Sequence, residues 1–309
     1  MDTEKLMEAL VSIRQELPDE INILELRRSS VDDQQRRLRK LLESSGDACE
    51  RNFDRGQWQT RDDYTVVNLP QGARAELFHA SGAVKLTSGR SDMESFFKEP
   101  EPKQQLIKRA ETMLKTLGIH EQLGRGETLA FERMWQIKAC AADRSGKASE
   151  PVLCRAVGAF RHQVEGIPVL GPASVAVQLA GNGEFDMVSI LIRNPAGETL
   201  DRVKTVHPER AARNLVQQLA AQFGNSKGDI QFDCPDGMRF GYLSLPKRKA
   251  QRLLAPVYMA TIDVTHEKER QGLVLVVQAT EKSYLPLNPP GHESPPSISS
   301  KTAGRRCCC

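Results

Sequence analysis

The chain has 309 residues, a net charge of +3, 39 % apolar and 27 % charged side chains, a composition that fits two or three small globular domains joined by polar linkers. The small charge and an aromatic content of 5 % argue against a nucleic-acid binder, which needs a clustered basic face or stacking platforms. No apolar run is long enough for a membrane span and the first residues lack the apolar core of a secretory signal, so a cytoplasmic location is expected.

In chain order, residues 1–50 read as helical. Leu6, Leu10 and Ile13 recur at helical spacing, Pro18 interrupts, and a second helix is expected over 31–44. Ser30 is placed to cap it, Asp32 and Asp33 complement its dipole, and Gly46 is expected to end it. The block Arg36-Arg37-Leu38-Arg39-Lys40 is either a solvated helix face or a surface for a partner or phosphate. From Asp63 the period changes to two, which predicts strands over 64–69, 73–80 and 83–87 with tight turns between them. Residues 51–102 thus read as a β-meander and a linker, a possible degenerate module.

Residues 103–117 form an amphipathic helix with Leu106, Ile107, Ala110, Met113, Leu114 and Leu117 on one side. Strands are expected over 129–142, 151–164, 174–179 and 185–193. Gly166, Gly171 and Gly183 are structural turn positions among them. The order then recurs: a helix opened by Pro208 and closed by Gly224, followed by strands over 229–232, 238–245, 254–265 and 272–280. One helix and four antiparallel strands make an α+β layer. Two such modules are expected, at 103–200 and 205–281. From 282 to 309 the chain is rich in Pro, Ser and Gly and cannot bury enough surface to fold.

The run Phe160-Arg161-His162-Gln163-Val164-Glu165-Gly166-Ile167-Pro168-Val169 resembles the "Y-x-Q-x-x-x-G-I-P-V-x-G" segment of two related groups, with Phe160 and His162 at the Tyr and Gln positions. One group comprises the PepSY and metalloprotease-propeptide modules, the other the YycH/YycI-like regulators of sensor kinases. Residues 252–258, with Leu254, Pro256, Val257 and Tyr258, are similar to a late strand of such regulators. The resemblance spans about residues 103–280. It implies tandem cystatin-like modules, each a sheet curled around one helix, and a non-enzymatic role in binding or regulating a protein partner.

Candidate sites follow from these features. Ile167, Pro168, Val169 and Leu170 are either an exposed partner contact or residues that turn the chain and pack on the core. His162 beside Arg161, and His79 before Ser81, fall in no recognisable nucleophile frame, so no catalytic residue is assigned. Cys140 and Cys154 sit on neighbouring predicted strands; Cys49, Cys140, Cys154 and Cys234 are too scattered for a disulfide framework. Gly124-Arg125-Gly126 lacks the rest of a phosphate loop, and the body of the chain has no metal-ligand cluster, so no cofactor is expected there. The adjacent Cys307, Cys308 and Cys309 are either incidental or a site for a soft metal, for lipid (and hence a membrane), or for a modifying enzyme, with Arg305-Arg306 as a dibasic cleavage point. The leading expectation is a non-enzymatic regulator of a protein partner. The alternative is a carrier or precursor whose cysteine tail is modified.

Overall fold

The computed structural model describes residues 3–13, 15–48, 56–89, 96–99, 101–181, 185–223, 230–266, 269–285 and 287. The fold is α+β. In chain order its elements are α1 (Thr3–Val11), β1 (Glu20–Leu26), α2 (Val31–Ala48), β2 (Gln57–Thr60), β3 (Tyr64–Asn68), β4 (Arg74–Phe78), β5 (Ala83–Thr87) and α3 (Lys103–Thr116). There follow β6 (Glu127–Ala139), β7 (Val152–Val164), β8 (Ile167–Leu170), β9 (Val175–Leu179), β10 (Phe185–Ile190) and β11 (Pro195–Lys204). The last are α4 (Pro208–Phe223), β12 (Ile230–Asp233), β13 (Met238–Leu243), β14 (Leu253–Leu254), β15 (Pro256–His266) and β16 (Glu269–Gln278).

Two units divide the chain. The larger holds the described residues of 21–203 and 241–256, the smaller those of 1–20, 204–240 and 257–309. The expected module at 205–281 is therefore interrupted, because residues 241–256 belong to the larger unit. The sequence period shows where strands lie but not which sheet edge each one joins.

In the larger unit, α2 leads into the meander β2–β3–β4–β5, and α3 leads into β6, β7, β9 and β10. The two strand sets meet along β5 and β10, which pair antiparallel from Met187 opposite Thr87 to Ile190 opposite Val84. The strands run β2–β3–β4–β5–β10–β9–β7–β6 across one sheet. Leu38, Leu41 and Leu42 of α2 and Leu106, Ala110 and Leu114 of α3 pack on one core with Val67, Ala75, Leu77, Leu86, Phe160, Val177 and Val188. The spacing of those helical residues is what an amphipathic face requires. Ser30 caps α2 as expected: the Asp33 amide donates to Ser30 Oγ at 3.1 Å.

Two local expectations are corrected, and one strand had no expectation. Residues 20–26 form strand β1, although 1–50 read as helical: Ile21, Ile23 and Leu26 are buried and the β-branched pair favours extended backbone. Residues 195–204 form β11, which with β1 and β14 makes a small sheet in the order β11–β1–β14. Helix α2 also runs through Gly46 to Ala48.

In the smaller unit, α1 packs against α4. Leu6 and Leu10 are buried on α1, and Ala211, Ala212, Leu215 and Leu219 on α4. Strands β12, β15 and β16 pair antiparallel, with β15–β16 forming a long hairpin from Val257 opposite Gln278 to His266 opposite Glu269. The buried Tyr258 hydroxyl donates to the Val206 carbonyl at 2.7 Å.

The resemblance-bearing segment, 160–171, sits in the larger unit. Strand β7 binds β6 along one edge; β9, and then β8, pair along the other. Glu165 and Gly166 join β7 to β8 with φ of 51° and 80°, the two-residue hairpin turn in which both positions are left-handed. Gly171 has φ of 116°, and a Cβ there would lie 2.5 Å from the Ser244 carbonyl oxygen. The expected turn at Gly183 lies outside the described residues.

A Cβ at Gly166 meets nothing within 4 Å, so substitution there is penalised by backbone conformation alone. Gly166→Val is expected to destabilise the protein by about 2 kcal/mol, and Gly166→Asn by much less, because Asn tolerates the left-handed region. Equal denaturation midpoints for the two variants would show that the turn does not impose this conformation.

Candidate functional site

Backbone bonds of the small sheet bring three arginine-bearing segments together. The Leu26 amide donates to the Arg252 carbonyl, and the Arg27 amide to the Asn194 carbonyl, both at 2.9 Å. Above them lies the first half of α2; beside them is the β4–β5 turn, closed by Ser81 and Gly82. These elements, all of the larger unit, enclose a cavity of about 340 Å³. That is within the usual range for small-molecule sites.

The chemistry of the cavity is one-sided. Arg27, Arg28, Arg37, Arg193 and Arg252 line it, and among the described residues no aspartate or glutamate does. Its apolar part is aliphatic: Leu26, Leu38, Leu41, Val84, Ile190 and Ile192. Val84 and Ile190 are direct partners across the β5–β10 seam, so the seam itself forms part of the floor. The Arg36–Lys40 block resolves residue by residue. Arg37 faces the cavity, Arg36 pairs with Asp33, and Arg39 lies over the Trp58 ring at 4.8 Å.

Arg193 is the central group. It is 5 % exposed, and its Nη2 donates to two neutral acceptors, the Leu245 carbonyl at 3.1 Å and the Lys249 carbonyl at 3.0 Å. Its Nε has no hydrogen-bond partner among the described residues, and no carboxylate there pairs with it. Burial pulls its pKa down to about 10, which leaves it charged at neutral pH. Arg37 is also pulled below its ordinary range by partial burial; Asp33 opposes this shift and the Arg27 charge adds to it.

Gln34 presents the opposite polarity. It is 7 % exposed, and its Nε2 donates to the Ser29 carbonyl at 3.3 Å and the His79 carbonyl at 3.1 Å. Those two acceptors fix the orientation of the amide, since a flipped one would face oxygen to oxygen. Its Oε1 is buried with no donor among the described residues.

A carboxylate network adjoins the wall. Asn194, which lines the cavity, donates Nδ2 to Glu127 Oε2 at 2.9 Å. The same oxygen accepts from His162 Nε2 at 2.8 Å. Burial alone would raise the Glu127 pKa, but the hydrogen bonds from His162 and Asn194 and the His162 charge outweigh it and hold the carboxyl below its ordinary value.

Other residues singled out in the sequence fall elsewhere. Ile167, Pro168, Val169 and Leu170 form β8 rather than an exposed loop; Val169 and Leu170 are buried, and Ile167 and Pro168 half-buried. The β8 backbone explains the burial: it pairs with β7, and its Val169 and Leu170 run parallel to Tyr242 and Leu243 of β13. The buried Arg161 donates to the Val169, Gly171 and Pro172 carbonyls and to Glu132, tying β8 and the following turn to the sheet. His79 and Ser81 are not paired: the ring meets the Asp62 carbonyl and Thr65 Oγ1, and Ser81 Oγ donates to the Lys247 carbonyl. Cys140 is exposed and Cys154 buried. Arg305, Arg306, Cys307, Cys308 and Cys309 lie outside the described residues. Among the described residues no helix is long and apolar enough to cross a membrane.

No protein-family model matches the sequence, and no curated protein does. Among solved structures, the crystal structure of an uncharacterized protein from Eubacterium rectale ATCC 33656 is similar, with a TM-score of 0.55 over 93 % of this chain and 99 % of that one at 11 % identity. This likeness concerns the fold.

The Glu127 carboxylate gives the site a pH signature. A carboxyl held below its ordinary value adds stability above that value and loses it as the pH falls through the depressed one. Glu127→Gln is expected to cost about 1.5–3 kcal/mol at neutral pH, the worth of hydrogen bonds to a buried charge. The difference from the parent should narrow as the pH falls below the ordinary carboxylate value, about 4.3, and through the depressed one of the folded protein. Melting both proteins at pH 7 and at pH 3.5 checks this; a gap that does not change with pH would mean the charge is not what matters.

Proposed function

We propose that this chain is a non-enzymatic binding protein of regulatory type: its larger unit takes up a small anionic ligand, and a protein partner responds to the occupied state. The observation that carries this reading is Arg193, a buried cation held by carbonyls alone, in a cavity lined, among the described residues, by four further arginines and no acid. A buried charge without a counter-charge is costly, and an anion entering the cavity relieves that cost. Guanidinium groups match phosphate and carboxylate oxygens geometrically as well as electrostatically.

The non-enzymatic part of the reading rests on the separate engagement of His79 and Ser81, whose polar atoms are each turned to backbone carbonyls or to Thr65. An activated nucleophile needs its base within hydrogen-bond reach. The finer description of the fold, tandem cystatin-like modules of PepSY type at 103–200 and 205–281 with a degenerate copy before them, belongs to the same proposal. It is supported by the order of helix then strands, which appears at α3 with β6–β10, at α4 with β12, β15 and β16, and at α2 with β2–β5.

Titration of the full chain with inorganic phosphate, against sodium chloride at matched ionic strength, tests the reading. Phosphate is expected to raise the melting temperature beyond the chloride control, approaching about 2.7 kcal/mol of added stability at one hundred times its Kd. Arg193→Met keeps an unbranched side chain but removes the charge, and is expected to lose the response. Equal responses of the two proteins, or none beyond chloride in the parent, would overturn the assignment.

A further inference from the structure

The arginine pocket asks for more than an inorganic anion, and we infer that its ligand is a nucleoside phosphate; this rests on the anion-binding reading above. Three features narrow the class. The first is charge: among the described residues five guanidinium groups and no carboxylate line the cavity, which favours a phosphate ester that carries two charges over a carboxylate that carries one. The second is size and surface. A cavity of about 340 Å³ exceeds what a bare phosphate fills, and the aliphatic floor of Leu38, Leu41, Val84 and Ile190 requires an apolar body above it. A sugar phosphate has the charge but exposes hydroxyls to that floor, where they find no partner. A nucleobase presents an apolar face, and the exposed Arg27, Arg28 and Arg252 supply guanidinium planes that stack on bases.

The third feature is Gln34. Its Oε1 is an acceptor without a donor, in a wall that otherwise offers donors. A carboxylate or ionised phosphate-ester head group brings only acceptors; a nucleoside adds ribose hydroxyls and ring or exocyclic N–H groups, and a sugar phosphate adds hydroxyls alone, so the aliphatic floor rather than Gln34 sets those two apart. The atom is closed to bulk water, so a ligand donor reaches it as the wall adjusts. A site whose buried polar group is left unpaired by the wrong ligand discriminates strongly. Fatty acids and acyl carboxylates match the floor but leave Gln34 unpaired; nucleoside phosphates satisfy both ends of the cavity.

Isothermal titration of the full chain with AMP, GMP, CMP and UMP, and with adenosine, ribose 5-phosphate and inorganic phosphate, tests the inference. At least one nucleotide should bind tenfold or more tightly than both ribose 5-phosphate and inorganic phosphate, and adenosine more weakly than AMP by a similar factor. Gln34→Leu should shrink the advantage of that nucleotide over inorganic phosphate by about tenfold, with the fold checked by circular dichroism. Should that variant fail to fold, the comparison of ligands on the parent protein still decides. Nucleotides that bind no better than ribose 5-phosphate or phosphate, while phosphate binding still depends on Arg193, would overturn the nucleoside assignment and leave the anion site standing. Absence of binding by every anion would overturn both.

Discussion

The pairing of β5 with β10 is the constraint on which the larger unit depends. It joins two strand sets, each led by its own helix, into one sheet, and it fixes the register at which they meet. Because Val84 sits opposite Ile190, the end of β10 comes to lie beside the β4–β5 turn and under α2. The chain leaving β10, residues 191–194, is thereby delivered into the angle between the helix and the turn. A slip of one residue along this seam would exchange buried for exposed faces and send Arg193 out of the cavity. Fold and site are consequently set by the same ladder of hydrogen bonds.

Given that placement, the electrostatics follow. A guanidinium leaving the end of a buried strand can be satisfied by a carboxylate, by backbone carbonyls or by a ligand. Elsewhere in the larger unit the first solution is used: Arg155 bonds to Asp186 and Arg161 to Glu132, both nearly buried pairs. Arg193 differs. It takes two carbonyls of the 245–252 segment, and the buried carboxylate of Glu127, bonded to the neighbouring Asn194, is committed to that residue and to His162. The segment is fastened independently by Gln251, whose side chain bonds the Leu243 and Leu253 carbonyls and the Leu245 amide. This segment of the wall is thus held in place before any ligand arrives, and Glu127, bonded to His162 and Asn194, does not neutralise the arginines in front of it.

Most elements were legible in the sequence and their assembly was not. Alternation identified β3, β4, β5, β7, β9 and β10, and the helical spacing of Leu106, Ala110 and Leu114 identified α3, because each pattern is written in contiguous residues facing one core. Strand β1 escaped because the helical spacing of Leu6 and Leu10 was carried past Pro18, although Ile21 and Ile23 already alternate. Strand β11 is exposed along most of its length, so it has no apolar period to detect. The cavity was the hardest to see. Its lining comes from five separate stretches between residues 26 and 252, and no local motif links Arg27, Gln34, Arg193 and Arg252. The basic block at 36–40 held the one local signal, with a phosphate surface as one of its two readings; of that block's charged residues only Arg37 faces the cavity.

Affinity and selectivity in such a pocket come from different groups. The exposed Arg27, Arg28 and Arg252 lie on the rim, where water and salt screen them, and their main effect is to draw anions inward. Arg193 and Gln34 are both more than nine-tenths buried, and the backbone carbonyls they hold cannot follow a poorly matched ligand. Their desolvation is already incurred on folding, so a ligand that completes them gains the interaction once the wall has moved enough to admit it. One that completes only the positive end leaves an acceptor unpaired in a dry wall, at a cost of about 1–3 kcal/mol. Charge at the rim therefore decides which molecules visit, and the two buried groups of opposite polarity decide which one stays.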